Sequence, residues 1–168
     1  MNVQEAIDTG LRKLGFKEIR ENQRKVVEGY VSGRDVLMVA PTGSGKSHTF
    51  HIAPFILDVY QHGGRDVVET VCLVIFPLVS LMKDQVSSLR KKGVKAVVLG
   101  PESSETEIKE ASEGKFNLVF TSPEALFGSQ RSTIVALKSK IKAVVIDEVH
   151  CLAKWLVYFS VDVKKGIG

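Results

Sequence analysis

The sequence predicts an α/β domain in which a mostly parallel sheet is flanked by helices, and three observations predict it. Short apolar runs alternate with helical stretches along most of the 168 residues. A glycine-rich loop, Ala40-Pro41-Thr42-Gly43-Ser44-Gly45-Lys46-Ser47, joins one such run to a helix. A later run ends in a pair of carboxylates, Asp147 and Glu148. Parallel strands covered on both faces read as continuous apolar segments, and their ligands bind beyond the carboxyl ends of the strands. Both motifs fall at such ends.

The elements follow in order. Val3, Ala6, Ile7, Leu11 and Leu14 recur at three- and four-residue spacing, which predicts a helix over residues 1–14. A second helix is expected over 21–31, stopping near Gly33. The period then changes, and strands are expected at 36–39, 71–76, 96–99, 118–120 and 143–146. Helices are expected between them at 46–60, 78–91, 104–113 and 133–139, the first kinked or broken at Pro54. Residues 61–66, with Gly63-Gly64, read as a loop.

A chain of this length suffices for one domain with a real core. Hydrophobic residues at 44% and charged residues at 25% are those of an ordinary soluble protein. No apolar run approaches the ~20 residues that span a bilayer, so no membrane partner is expected. The first residues lack the basic-then-apolar pattern of a signal peptide. An intracellular location is therefore expected, the nucleus in a eukaryote or the cytoplasm in a bacterium. Cys72 and Cys151 sit in or beside apolar segments without ligand spacing and read as core thiols. The formal charge of +4 is compatible with nucleic-acid binding without establishing it.

The glycine-rich loop carries the most chemistry. Two glycines allow backbone N–H groups to approach an anion, and the helix start behind them adds a favourable dipole. Lys46 is placed to reach β- and γ-phosphates, and the Ser47 hydroxyl to ligate Mg²⁺. Thr42, Gly43, Ser44, Gly45, Lys46 and Ser47 thus form a candidate phosphate site for ATP. By itself the acidic strand end is also the pattern of a solvated turn. Downstream of a phosphate loop it becomes the second half of an ATPase. Asp147 then holds the Mg²⁺ shell with Ser47, and Glu148 orients and deprotonates water, so Lys46, Asp147 and Glu148 are the candidate catalytic residues.

Three segments together resemble the RecQ family of DNA helicases: the tetrad 147–150 (Asp-Glu-Val-His), Pro41-Thr42-Gly43-Ser44-Gly45-Lys46-Ser47, and Phe76-Pro77-Leu78-Val79-Ser80-Leu81-Met82-Lys83-Asp84-Gln85-Val86. The last is the most discriminating, because RNA helicases of the DEAD-box type do not share it. Thr121-Ser122-Pro123-Glu124-Ala125-Leu126 resembles the family's next nucleic-acid-contacting motif, and Gly15-Phe16, Ile19-Arg20 and Gln23 its adenine-recognition motif. The resemblance covers roughly residues 3–155, in family order. It implies a RecA-like P-loop NTPase lobe, the cofactors ATP and Mg²⁺, 3′-to-5′ DNA unwinding, and binding to single-stranded or tailed duplex DNA. The expected organisation is an N-terminal helical segment over 1–33, the ATP-binding lobe over 34–155 and a divergent tail over 156–168.

Roles follow residue by residue. The Gln23 amide offers a donor and an acceptor that match adenine N6 and N7. Phe16 is placed to stack on the base and Arg20 to pack on it or hydrogen-bond it, although Phe16 also reads as a core anchor between helices. Ser80 and Lys83 sit at a helix start suited to DNA phosphates, and read equally as a solvated helix face. Arg90-Lys91-Lys92 reads as such a face. His150 would link the nucleotide to the nucleic-acid side, or be a structural histidine. Trp155 matches the start of the family's aromatic-rich loop, where stacking on bases supplies about 1–3 kcal/mol each, and reads equally as core beside Leu152 and Leu156.

After Trp155 the sequence departs from the family: Leu156-Val157-Tyr158-Phe159-Ser160-Val161-Asp162-Val163 replaces the expected glycine, histidine, acidic, phenylalanine and arginine positions. Three further features are expected to be missing. They are the second RecA-like lobe, whose arginine fingers contribute about 10³–10⁵ in rate in related NTPases, the zinc-binding and winged-helix segments of many relatives, and the strand with a Ser-Ala-Thr motif that inserts beside the phosphate-loop strand. Strands lie about 4.8 Å apart, so that empty slot leaves backbone groups to be covered or solvated. The tail is expected to be a gene-model or splicing artefact, and the chain alone to bind ATP weakly and not to unwind DNA. The rival readings are an RNA-remodelling ATPase of helicase type and a non-catalytic form that binds DNA or a partner.

Overall fold

The computed structural model describes residues 2–63 and 69–148. His150, Cys151, Trp155 and the tail over 156–168 lie outside the described residues. Two helices come first, α1 (Val3–Leu14) and α2 (Glu21–Val31), followed by α3 (Lys46–His51) and α4 (Ala53–His62). Strands and helices then alternate: β1 (Val71–Ile75), α5 (Val79–Lys91), β2 (Ala96–Leu99), α6 (Glu105–Ser112), β3 (Leu118–Thr121), α7 (Pro123–Phe127), α8 (Arg131–Ala136) and β4 (Ile141–Ile146).

Local chemistry explains the boundaries. α1 starts in a capping box, with the Asn2 side chain accepting from the Glu5 N–H at 2.8 Å and Glu5 answering at 3.1 Å. It ends at Gly15 in the left-handed region, with φ 70°. α6 carries the same box between Ser104 and Glu107. The helix expected over 46–60 breaks at Ile52. Pro54 falls in the first turn of α4, where a missing N–H costs nothing. The helix expected over 133–139 begins earlier, at Arg131, and α7 precedes it, capped by the Ser122 hydroxyl on the Ala125 N–H at 3.2 Å.

All four strands are parallel, in the order β2-β3-β1-β4. Alternate residues feed two apolar layers. Cys72, Val74, Leu118 and Phe120 pack under α1, α2, α4 and α5 with Ile7, Val27, Ile56 and Val86. Val71, Leu73, Val97 and Val119 pack under α6 and α8 with Ala111, Ile134 and Leu137. β1 and β3 are buried at every position, as the inner strands of a doubly covered sheet must be. Among the described residues no helix is long and apolar enough to cross a membrane.

One expected strand is absent from this sheet. Residues 36–39 are not assigned to any strand, and Leu37 and Val39 are 74% and 90% exposed. The segment runs past α2 instead, with Val36 against Gly29, where an added Cβ would clash with its Cγ2. Among the described residues β4 is hydrogen-bonded to β1 on one side and to nothing on the other. A strand run without a partner ladder has no pleated surface to join.

Candidate nucleotide site at the carboxyl ends of the strands

The glycine-rich loop turns on two residues that only glycine adopts easily. Gly43 and Gly45 have φ of 78° and 82°. The Ser44 N–H closes the turn on the Pro41 carbonyl at 3.2 Å, and Gly45 caps α3. A Cβ on Gly43 would meet nothing within 4 Å, so the loop surrounds open space on that side. A Cβ on Gly45 would lie 2.7 Å from Gln23 Nε2, so that position is closed by a neighbour as well as by its φ.

That neighbour belongs to the start of α2, which is laced to the loop. Gln23 is 4% exposed. Its Nε2 donates to the Gly45 carbonyl at 2.8 Å, while its Oε1 accepts from the Arg20 N–H at 2.8 Å. Arg20 Nη1 donates to the Ser44 carbonyl at 3.0 Å. The amide keeps one N–H and one lone pair beyond these bonds, so holding the loop and contacting a base are compatible. Phe16 is half-buried; its ring lies 4.8 Å from that of His48, and Lys92 Nζ sits 4.6 Å from its centroid. Burial, with Lys92 and Arg20 nearby, lowers the His48 pKa and keeps its ring neutral.

The acidic pair closes the site. The Asp147 N–H donates to the Ile75 carbonyl at 3.0 Å, which continues the β1–β4 ladder and sets the carboxylate at the strand end. The Glu148 N–H then donates to Asp147 Oδ1 at 2.9 Å. Glu148 has φ 59°, a left-handed conformation in a non-glycine residue that costs on the order of 1–3 kcal/mol. Burial raises the Asp147 pKa and the Glu148 charge adds to it, against the Glu148 N–H bond and the Lys46 charge. The Lys46 ammonium bends back to the Ala40 carbonyl at 2.9 Å. Two half-buried carboxylates and a Ser47 hydroxyl are oxygen donors, as a Mg²⁺ shared with phosphates requires. Among the described residues the buried Ser44 hydroxyl has no hydrogen-bond partner, a polar atom left over inside the loop.

Arg20 and Gln23 thus hold the loop, while Asp147 and Glu148 stand together at the end of β4. Ser80 and Lys83 sit apart from them, exposed on α5, with Lys83 Nζ paired to Glu102 at 2.9 Å. Trp155 lies outside the described residues. His48, His51, Gln85 and Lys92 are site neighbours that pattern reading missed. Arg90-Lys91-Lys92 divides: Arg90 Nε donates to the Ala96 carbonyl at 2.8 Å, whereas Lys92 covers Phe16. The seven-residue spacing of Gln85 and Lys92 was the available signal, since it puts both on one helix face.

Known proteins resemble this chain in fold and in sequence. Among solved structures, the helicase MrfA bound to DNA and AMPPNP superposes with a TM-score of 0.69 at 24% identity, over 88% of this chain and 21% of that one. A hypothetical ATP-dependent RNA helicase from Sulfolobus tokodaii gives 0.64 at 24% identity, over 97% of this chain and 46% of that one. Both establish the RecA-like helicase fold. Curated relatives include ATP-dependent DNA helicase Q-like 5 of Arabidopsis thaliana, 31% identical over 90% of this chain and 16% of its own length. ATP-dependent DNA helicase RecQ of Synechocystis is 32% identical over 90% of this chain and 30% of its own. The helicase hus2/rqh1 of Schizosaccharomyces pombe is 35% identical over 91% and 12%. The chain spans less than a third of the length of these relatives. The family profile described as DEAD/DEAH box helicase matches residues 20–168, and with the phosphate loop and acidic pair in place the chain belongs to that family.

Proposed function

We propose that this chain is the ATP-binding lobe of a RecQ-type, ATP-dependent DNA helicase that moves 3′ to 5′, and that it binds Mg²⁺–ATP without unwinding DNA by itself. The observation that carries this reading is the loop 42–47, whose Ser44 and Gly45 carbonyls are held by Arg20 and Gln23. The RecQ names of the curated relatives support the DNA substrate and the family.

In this reading Gly43, Ser44, Gly45, Lys46 and Ser47 receive the phosphates, with Lys46 leaving the Ala40 carbonyl for the β- and γ-oxygens. Ser47 and Asp147 would hold Mg²⁺, whose charge would offset that of the two carboxylates. Bound Mg²⁺–ATP supplies a phosphoanhydride whose γ-phosphoryl group transfers to water. Glu148, pinned in its left-handed turn, orients that water and takes its proton. Phe16, Arg20 and Gln23 hold the adenine, and Ser80, Lys83 and Trp155 face single-stranded or tailed duplex DNA. A second RecA-like lobe completes the enzyme with its arginines.

The test uses the 168-residue chain and a fluorescent ATP analogue with Mg²⁺. Saturable binding that Lys46→Ala abolishes is expected, while Glu148→Gln keeps binding and removes residual hydrolysis. Binding unaffected by Lys46→Ala overturns the site assignment. Stimulation of hydrolysis by RNA and not by DNA overturns the RecQ reading in favour of an RNA-remodelling ATPase.

A further inference from the structure

Helix α5 meets the nucleotide elements at two points. His51, at the end of α3, shares a 3.0 Å hydrogen bond with Gln85 Oε1 near the middle of α5. Its pKa is lowered to about 4 by burial, so the ring is neutral and Nε2–H is the donor. The ring packs between Phe50, at 4.8 Å, and Phe120 of β3, at 6.5 Å, which fixes its direction. Just past the end of α5, its C-cap residue Lys92 covers the Phe16 ring. Gln85 and Lys92 are seven residues apart and share a stripe of the helix. At about 100° per residue, Ser80 and Lys83 lie roughly 140–160° around the helix from Gln85. The helix therefore has a nucleotide face and an opposite face, with Met82, Val86 and Leu89 buried as its seat.

α3 starts at Lys46 and Ser47, and one turn later it ends at His51. Any shift of α3 when phosphates fill the loop reaches His51 through a single helical turn. We infer that the His51–Gln85 hydrogen bond is a positioning contact that transmits occupancy of the phosphate loop to α5, and so couples nucleotide affinity to DNA bound at Ser80 and Lys83. Lys92 on Phe16 is the second, weaker seat of the same helix. This rests on the proposed function and deepens it: His51 and Gln85 touch neither ligand, and act by holding two elements in register.

The experiment measures the affinity of the intact 168-residue chain for a fluorescent non-hydrolysable ATP analogue with Mg²⁺, with and without a single-stranded oligodeoxythymidylate. In the parent chain, DNA is expected to tighten nucleotide binding. His51→Ala and Gln85→Ala should each reduce that tightening by about three- to tenfold, the range of one neutral hydrogen bond, and leave DNA-free affinity within about twofold. The double variant should lose no more than either single one, and His51→Gln, whose amide nitrogen replaces Nε2, should restore the effect. A purely structural role would lower affinity with and without DNA alike, and that result overturns the inference. So does a DNA effect that is unchanged in Gln85→Ala, which alters a half-buried polar residue and leaves the core intact. Absence of nucleotide binding in the parent chain sinks the proposed function and the coupling with it. Binding without any DNA effect in the parent chain sinks the coupling alone.

Discussion

β1 and β4 are neighbours with nearly interchangeable sequences, Val-Cys-Leu-Val-Ile and Ile-Lys-Ala-Val-Val-Ile, yet they lead different lives. Every residue of β1 is buried, whereas β4 alternates between half-buried and exposed positions, with Val144 at 57% and Ile146 at 40%. Register explains which positions differ. Val144 pairs with Leu73 and Ile146 with Ile75, on the face covered by α6 and α8; that cover reaches Ile141 at the start of β4 and leaves Val144 and Ile146 exposed. Ala143 and Val145 pair with Cys72 and Val74 on the other face and are packed there. Apolar content marks a segment as a strand. The number of neighbours it gains decides how much of it is buried.

The comparison is open to four tests, in descending order of effect. Leu73→Ala should cost about 2–5 kcal/mol in urea unfolding, and Val144→Ala, its partner across the ladder, less than about 1 kcal/mol. Equal costs would mean that β4 is covered in solution. Acid comes next. The His51 pKa falls from 6.5 to about 4 on folding, so stability is fully present above about pH 6.5 and is lost as pH falls towards 4. The loss is on the order of 3 kcal/mol, with His48 adding in the same direction, and His51→Gln should flatten the profile. Third, Gly45→Ala should cost at least about 1 kcal/mol through its φ and the contact with Gln23, and should weaken ATP binding. Gly43→Ala meets open space and pays only for φ, so its stability cost should be the smaller of the two. Last, Val144→Lys should leave stability within about 0.5 kcal/mol and reduce self-association in light scattering, because it charges an exposed strand edge.

Much of the site was legible from residues close in sequence. Gly43, Gly45, Lys46 and Ser47 stand together because a phosphate cradle is a local backbone shape, and local shapes are written in adjacent residues. The helices at α1, α2, α5 and α6 were readable for the same reason, through capping residues and three- to four-residue periodicity. Gln23 was expected on the base side from the family resemblance, but its bond to the Gly45 carbonyl was not legible, since 22 residues separate the two.

Spacing and composition alone settled the alternation of strands and helices, the turn at the phosphate loop and the acidic strand end. Each depends on interactions within a few residues. Folding was needed to say that 36–39 stays out of the described sheet, that Lys92 lies on Phe16, and that His51 holds Gln85 across 34 residues. Those outcomes depend on which distant surfaces meet, and an apolar run or a lone histidine carries no record of the partner that will satisfy it.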